Sequence, residues 1–126
     1  MQDPVRRKQV ADTPEERVRQ AVIRMLTADL GIPSSLMAVE KAIRVQNEIR
    51  RPDIVVHDRS GSAWMIIECK APGVAISQRT LDQAANYNRV LHAPFLFVSN
   101  GQEHFCARVE GKKIDFLDEL PAWPSR

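Results

Sequence analysis

Apolar residues recur at helical spacing early in the chain. Val18, Ala21, Val22, Met25, Leu26 and Leu30 fall three or four apart, which predicts a helix over about 14–30. Its start is marked three times: Thr13 suits the cap, Pro14 the first helical position, and Glu16 completes a Thr-x-x-Glu box. Gly31 and Pro33 end it. The period then shortens. Residues 36–45 alternate loosely and predict a strand. Residues 53–57, entered through Pro52, predict a second, β-branched strand, and residues 64–70 a third, with Arg59-Ser60-Gly61-Ser62 as the turn between them. Ala71-Pro72-Gly73 breaks the chain, and Leu81, Ala84, Ala85 and Leu91 predict a second helix over about 78–91. Residues 95–99 read as a buried strand closed by Asn100-Gly101, and residues 103–109 and 112–117 as two further strands around Gly111.

The order is αβββαβ followed by a short C-terminal β appendage, which implies an α/β fold with a mixed sheet flanked by helices. Residues 1–12 are polar without periodicity and read as a flexible N-terminal arm; residues 13–126 read as a single domain, since 126 residues leave room for one. The chain is 44% hydrophobic and 27% charged, ordinary for a globular protein, and no apolar run approaches the length of a membrane span. The start lacks the apolar stretch of a signal peptide, and the only cysteines are Cys69 and Cys106. A disulfide framework is therefore not expected, and the expected location is a reducing cytoplasm. A net charge of +2 excludes a strongly basic coat, but 13 of the 18 basic residues are arginine, the better bidentate partner of phosphate.

The third predicted strand changes the picture. Met65-Ile66-Ile67 runs straight into Glu68-Cys69-Lys70, and strand alternation puts Glu68 and Lys70 on one face. Ionic groups at the end of a core strand are costly unless paired or given a task. Asp53 opens the neighbouring strand, and a hairpin brings it close to Glu68. Two carboxylates with the backbone carbonyl of Cys69 make an all-oxygen pocket of the kind Mg²⁺ or Mn²⁺ prefers. Lys70 is placed to orient a water or to stabilise charge on a phosphate. The bland alternative is a surface salt bridge between Lys70 and one carboxylate. Pro-Asp, a fourteen-residue gap and Glu-x-Lys at the end of an apolar strand favour the metal site.

Pro52-Asp53 followed by Glu68-Cys69-Lys70 resembles the PD-(D/E)xK nuclease superfamily, whose restriction-endonuclease-like core has the element order read above. RPDIVV, IIECKAP, DQAANYN and LFVSNG resemble more closely the N-terminal nuclease domain of type I restriction enzyme R subunits, including stand-alone bacterial forms, over about residues 13–110. The resemblance implies Mg²⁺-dependent DNA cleavage with Asp53 and Glu68 as ligands and Lys70 catalytic. Gln83 and Tyr87, four apart on one helical face, resemble the Q-x-x-x-Y element of RecB-like nucleases, which implies a role for Gln83 at the active site and for Tyr87 at the substrate; a cap at Thr80 and core packing of Tyr87 are the alternative. Glu16 fits the position of a first-helix glutamate that helps hold metal in relatives, and equally satisfies its own capping box. Glu40, on the first predicted strand, is read as solvent-facing, with an approach to the site as the alternative. Arg50 and Arg51 are candidate phosphate grips, with solvated loop arginines as the default.

His57, His92 and His104 lack metal spacing, which argues against zinc. No G-x-x-x-x-G-K-[ST] occurs, so no nucleotide cofactor is expected, a departure from the full restriction subunit. The resulting expectation is a metal-dependent deoxyribonuclease of restriction or repair type, an endonuclease acting alone, as a homodimer or in a larger assembly. The rival is a non-cleaving nucleic-acid-binding or regulatory module that keeps the nuclease fold.

Overall fold

The computed structural model describes residues 1–124. Two short strands come first, β1 (Gln2–Asp3) and β2 (Lys8–Gln9), paired as an antiparallel hairpin. This hairpin lies within the segment expected to be a flexible arm. The segment is held by Asp3, which is fully buried: its carboxylate accepts from the N–H of Val5 at 2.7 Å and Arg6 at 2.9 Å and from the Gln20 amide at 3.0 Å. A polar segment can be ordered by hydrogen bonds that leave no hydrophobic period to read.

Helix α1 (Pro14–Ala28) begins as expected, with the Thr13 hydroxyl accepting from Glu16 N–H at 3.1 Å. Its buried face carries Val18, Val22, Ile23 and Leu26. The single strand expected over residues 36–45 is two. A 3₁₀ turn (Ser34–Leu36) leads into β3 (Met37–Val39); Glu40 then adopts a left-handed φ of 54°, and β4 (Ile43–Val45) folds back on β5 (Glu48–Arg50) through Gln46 and Asn47, both at positive φ. Gln-Asn is a weaker hairpin signal than Asn-Gly, which is why the turn does not stand out in the sequence.

The hairpin β6 (Ile54–His57) and β7 (Ala63–Cys69) closes on Asp58, whose carboxylate accepts from the N–H of Ser60 and Ser62. Helix α2 (Gln78–Leu91) ends at a left-handed His92, with the Asn88 side chain bonded to both backbone groups of Ala93. The strands β8 (Phe95–Ser99), β9 (His104–Glu110) and β10 (Lys113–Leu117) follow. One six-stranded sheet runs β10-β9-β8-β7-β6-β3, with β7 and β8 parallel and every other neighbouring pair antiparallel. The mixed sheet expected from the pattern is present.

Alternation along β7 divides the core. Met65 and Ile67, with Ile54, Val56 and Phe97, pack towards Val22, Ile23 and Leu26 of α1. Ile66 faces the other way, under Ala84 and Tyr87 of α2. Each fully buried aliphatic side chain contributes about 1.5–3 kcal/mol. The sheet is thus clamped between two helices, and both helices reach the end of β7 where Glu68 lies. Among the described residues no helix is long and apolar enough to cross a membrane.

Candidate active site

The β6–β7 register pairs Ile54 with Ile67, which sets the residue before β6, Asp53, beside Glu68. Two hydrogen bonds lock the pair: Asp53 N–H donates to Glu68 Oε1 at 3.1 Å, and Cys69 N–H donates to Asp53 Oδ2 at 2.7 Å. Asp53 is 8% exposed and Glu68 5%. Burial first, and then the charge of Asp53, push the Glu68 carboxyl up to about 8, against the opposing pull of the Asp53 N–H and the Lys70 ammonium. Lys70 directly follows β7, half-buried, its N–H donating to Ser99 O at 2.8 Å. The salt bridge offered as the bland reading is absent: among the described residues, no carboxylate oxygen lies within 4.0 Å of the Lys70 ammonium. The Cys69 side chain points into the opposite core, where burial raises its thiol pKa.

Asp53 has a third partner that the motif does not announce. Arg19 of α1 donates from Nη2 to Asp53 Oδ1 at 2.9 Å, and from Nη1 to Glu16 Oε1 and Glu40 Oε1, each at 3.0 Å. Arg6, from the N-terminal hairpin, reaches the same Glu16 oxygen at 2.8 Å, Glu40 at 3.2 Å and Asp3 at 2.6 Å. Glu16 therefore does not complete its capping box: its carboxylate is held by Arg6, Arg19 and Gln20. Glu40 is exposed, as expected, and its carboxylate, following a left-handed backbone, also meets Arg6 and Arg19 at the edge of this network. A signal for Arg19 does exist in the sequence. It shares the i, i+4, i+7 stripe with Ile23 and Leu26, and a cation on an apolar stripe demands a buried partner.

Across the sheet, α2 presents Tyr87, whose hydroxyl accepts from the Gln83 amide at 2.8 Å. Burial and then the charge of Glu68 raise the Tyr87 pKa, so the phenol shares the electrostatic environment of the carboxylate pair. Arg50 lies exposed on β5 and pairs with Glu48; Arg51 donates to Glu40 O at 3.2 Å. Neither arginine joins the carboxylates through a hydrogen bond. Among the described residues no three His, Cys, Asp or Glu side chains gather as a metal cluster. A cation here would rely on two carboxylates and the Cys69 carbonyl, a set that leaves positions for water and phosphate and so fits a hard divalent ion.

A mixed sheet between two helices, with Asp and Glu-x-Lys meeting at the ends of adjacent strands, defines a restriction-endonuclease-like nuclease domain. The family model described as Type I restriction enzyme R protein N terminus (HSDR_N) matches residues 14–121, and the chain belongs to that family. The fold is similar to a crystal structure from Anabaena variabilis, provisionally described as a nuclease belonging to DUF820, with a TM-score of 0.52 at 14% identity over 92% of this chain and 75% of that one. At that identity the likeness concerns the fold alone. No curated protein matches the chain.

Proposed function

We propose that this domain hydrolyses DNA phosphodiesters with a divalent metal ion, Mg²⁺ or Mn²⁺, held by Asp53, Glu68 and the backbone carbonyl of Cys69. The observation that carries the reading is the buried Asp53–Glu68 pair, with the Glu68 carboxyl pushed up to about 8. A divalent cation would relieve that repulsion. When bound, the ion would supply Lewis-acid polarisation of the phosphate and a more acidic water.

The chain's own residues have separable tasks. The Asp53 and Cys69 N–H groups fix the two carboxylates, so little reorganisation is needed when a cation arrives. Lys70, with no carboxylate among the described residues within salt-bridge distance, is the group that would hold a nucleophilic water or offset charge building on a phosphate oxygen. Gln83 and Tyr87 orient substrate from the α2 side, and Arg50 and Arg51 offer phosphate contacts on the rim. DNA as substrate is supported by the family, whose description is that of a restriction enzyme R protein. Glu16 is a structural partner of Arg6 and Arg19 in this reading, not a ligand.

The non-cleaving alternative draws on one observation: Asp53 Oδ1 is already engaged by Arg19. Plasmid DNA incubated with Mg²⁺ or Mn²⁺ separates the two. Nicking that stops with chelator and is lost in Lys70→Met supports the nuclease; intact plasmid under all conditions, with DNA still bound, supports the binding module.

A further inference from the structure

We propose that Arg19 is an internal counter-cation that holds the acidic site together without metal and sets how weakly the site takes up a divalent ion. The inference rests on the metal-site reading above and deepens it. Arg19 is buried, yet it is anchored only through its two terminal nitrogens, which serve Glu16, Glu40 and Asp53. Among the described residues its buried Nε has no hydrogen-bond partner. A buried donor left unsatisfied is disfavoured, which the ion pairs of the two terminal nitrogens must offset.

The network contains five carboxylates, those of Asp3, Glu16, Glu40, Asp53 and Glu68, and two guanidiniums, those of Arg6 and Arg19. Of the two arginines only Arg19 touches a proposed ligand. A cation bound to Asp53 would share that carboxylate with a guanidinium lying 2.9 Å from Oδ1. Like charges that share one carboxylate in a poorly screened site oppose each other strongly. Asp53 does not need Arg19 to keep its position, because Oδ2 is held independently by Cys69 N–H at 2.7 Å. Removing the Arg19 charge should thus free affinity for the ion more than it disorders the ligand. The wild-type arrangement trades tight binding for a site that stays assembled when empty, and so ties occupancy to the ambient concentration of the ion.

The test is the apparent affinity for Mn²⁺ alone, from thermal melts and calorimetry without DNA, in wild type, Arg19→Met, Arg19→Lys and Arg6→Met. Arg19→Met should melt lower than wild type in chelator but bind Mn²⁺ at least about tenfold more tightly. Arg19→Lys keeps the charge and loses the fork, so its chelator melt should fall while its Mn²⁺ affinity stays near wild type. Arg6→Met, one carboxylate further from Asp53, should show a smaller gain in affinity and remains informative should Arg19→Met not fold. Equal or weaker Mn²⁺ binding in Arg19→Met, or in Arg6→Met where Arg19→Met is unfolded, overturns the counter-cation role while leaving the metal site standing. Absence of any Mn²⁺ effect on the wild type overturns both.

Discussion

Substituting Glu68 by glutamine tests the site through stability alone, with no substrate. Glutamine keeps an oxygen to accept the Asp53 N–H at 3.1 Å and removes the charge. The folded Glu68 carboxyl is raised from 4.5 to about 8, so folding takes up a proton at this group. A raised folded pKa means the stabilising contribution is fully present below about 4.5 and is lost as pH rises through about 8. Each tenfold change in proton affinity corresponds to about 1.4 kcal/mol, so at pH 8 the ion-free wild type should be less stable than Glu68→Gln by on the order of 2–4 kcal/mol. At about pH 5 the gap should shrink to about 1 kcal/mol or less. With roughly 3–5 °C per kcal/mol for a domain of this size, the gap is readable in thermal melts run with chelator from about pH 5 to 8. Millimolar Mg²⁺ should raise the wild-type melt at about pH 8 by mass action and leave Glu68→Gln where it was. Parallel pH curves for the two proteins, or a wild type more stable than the variant at the alkaline end in chelator, would refute the reasoning. That result would mean a carboxylate whose charge the apo fold requires.

Lys70→Met should abolish metal-dependent nicking while keeping the Mg²⁺-induced rise in melting temperature, which plasmid assays and melts check in parallel. Gln83→Ala and Tyr87→Phe each break the 2.8 Å hydrogen bond between the two side chains; stability should fall by about 1 kcal/mol at most, and cleavage should weaken less than in Lys70→Met, measured as single-turnover rates. Ile23→Ala, remote from the carboxylates and fully buried, should cost about 2–5 kcal/mol in urea unfolding without changing the Mn²⁺ dissociation constant of the folded protein. Asp3 is held below its ordinary carboxylate pKa by hydrogen bonds from Arg6, Val5 and Gln20 that outweigh its burial. Its contribution should be present above the unfolded value near 3.8 and lost as pH falls through the lower folded one, so the stability gap between wild type and Asp3→Asn should close on acidification.

The parts of this fold that can be read from the chain are those in which local pattern and tertiary role coincide. Both long helices carry their apolar stripe in sequence, the first with its start signals as well, and the strands β6, β7 and β8 are short apolar runs bounded by turn residues. Asp53, Glu68 and Lys70 are legible for the same reason: two of them lie at the end of one strand, and the third opens the strand paired with it through the turn at Asp58. The network behind Asp53 is less legible, and only Arg19 leaves a sign in sequence, as a cation on the apolar stripe of α1. Arg6, Arg19 and Glu40 come from a hairpin, a helix and a loop, and they meet only because Asp3 pins the N-terminal hairpin onto α1 and Glu40 takes a left-handed backbone. The β4–β5 hairpin is hidden in the same way, since its two-residue turn lacks glycine.

The two kinds of residue divide the work of the site. The motif residues are positioned by main-chain hydrogen bonds between neighbouring strands, so their geometry follows from sheet register, and a one-residue slip of β6 against β7 would take Asp53 away from Glu68. The arginine head groups, carried on α1 and the N-terminal hairpin, are held by the carboxylates they neutralise. Substitutions in β6 and β7 that preserve apolar volume should therefore leave the carboxylate pair intact, whereas changes at the N-terminal hairpin, far away in sequence, should act on the site through its charge balance. A deletion of residues 1–9 tests that division directly. It removes Arg6 and Asp3 but leaves Arg19 on α1. The carboxylates of Glu16 and Glu40 then each lose a cation, and the apo domain should melt lower while its Mn²⁺ affinity rises. An unchanged affinity would show that the hairpin is a structural cover and would count, like an unchanged Arg6→Met, against charge balance as what sets the affinity at Asp53.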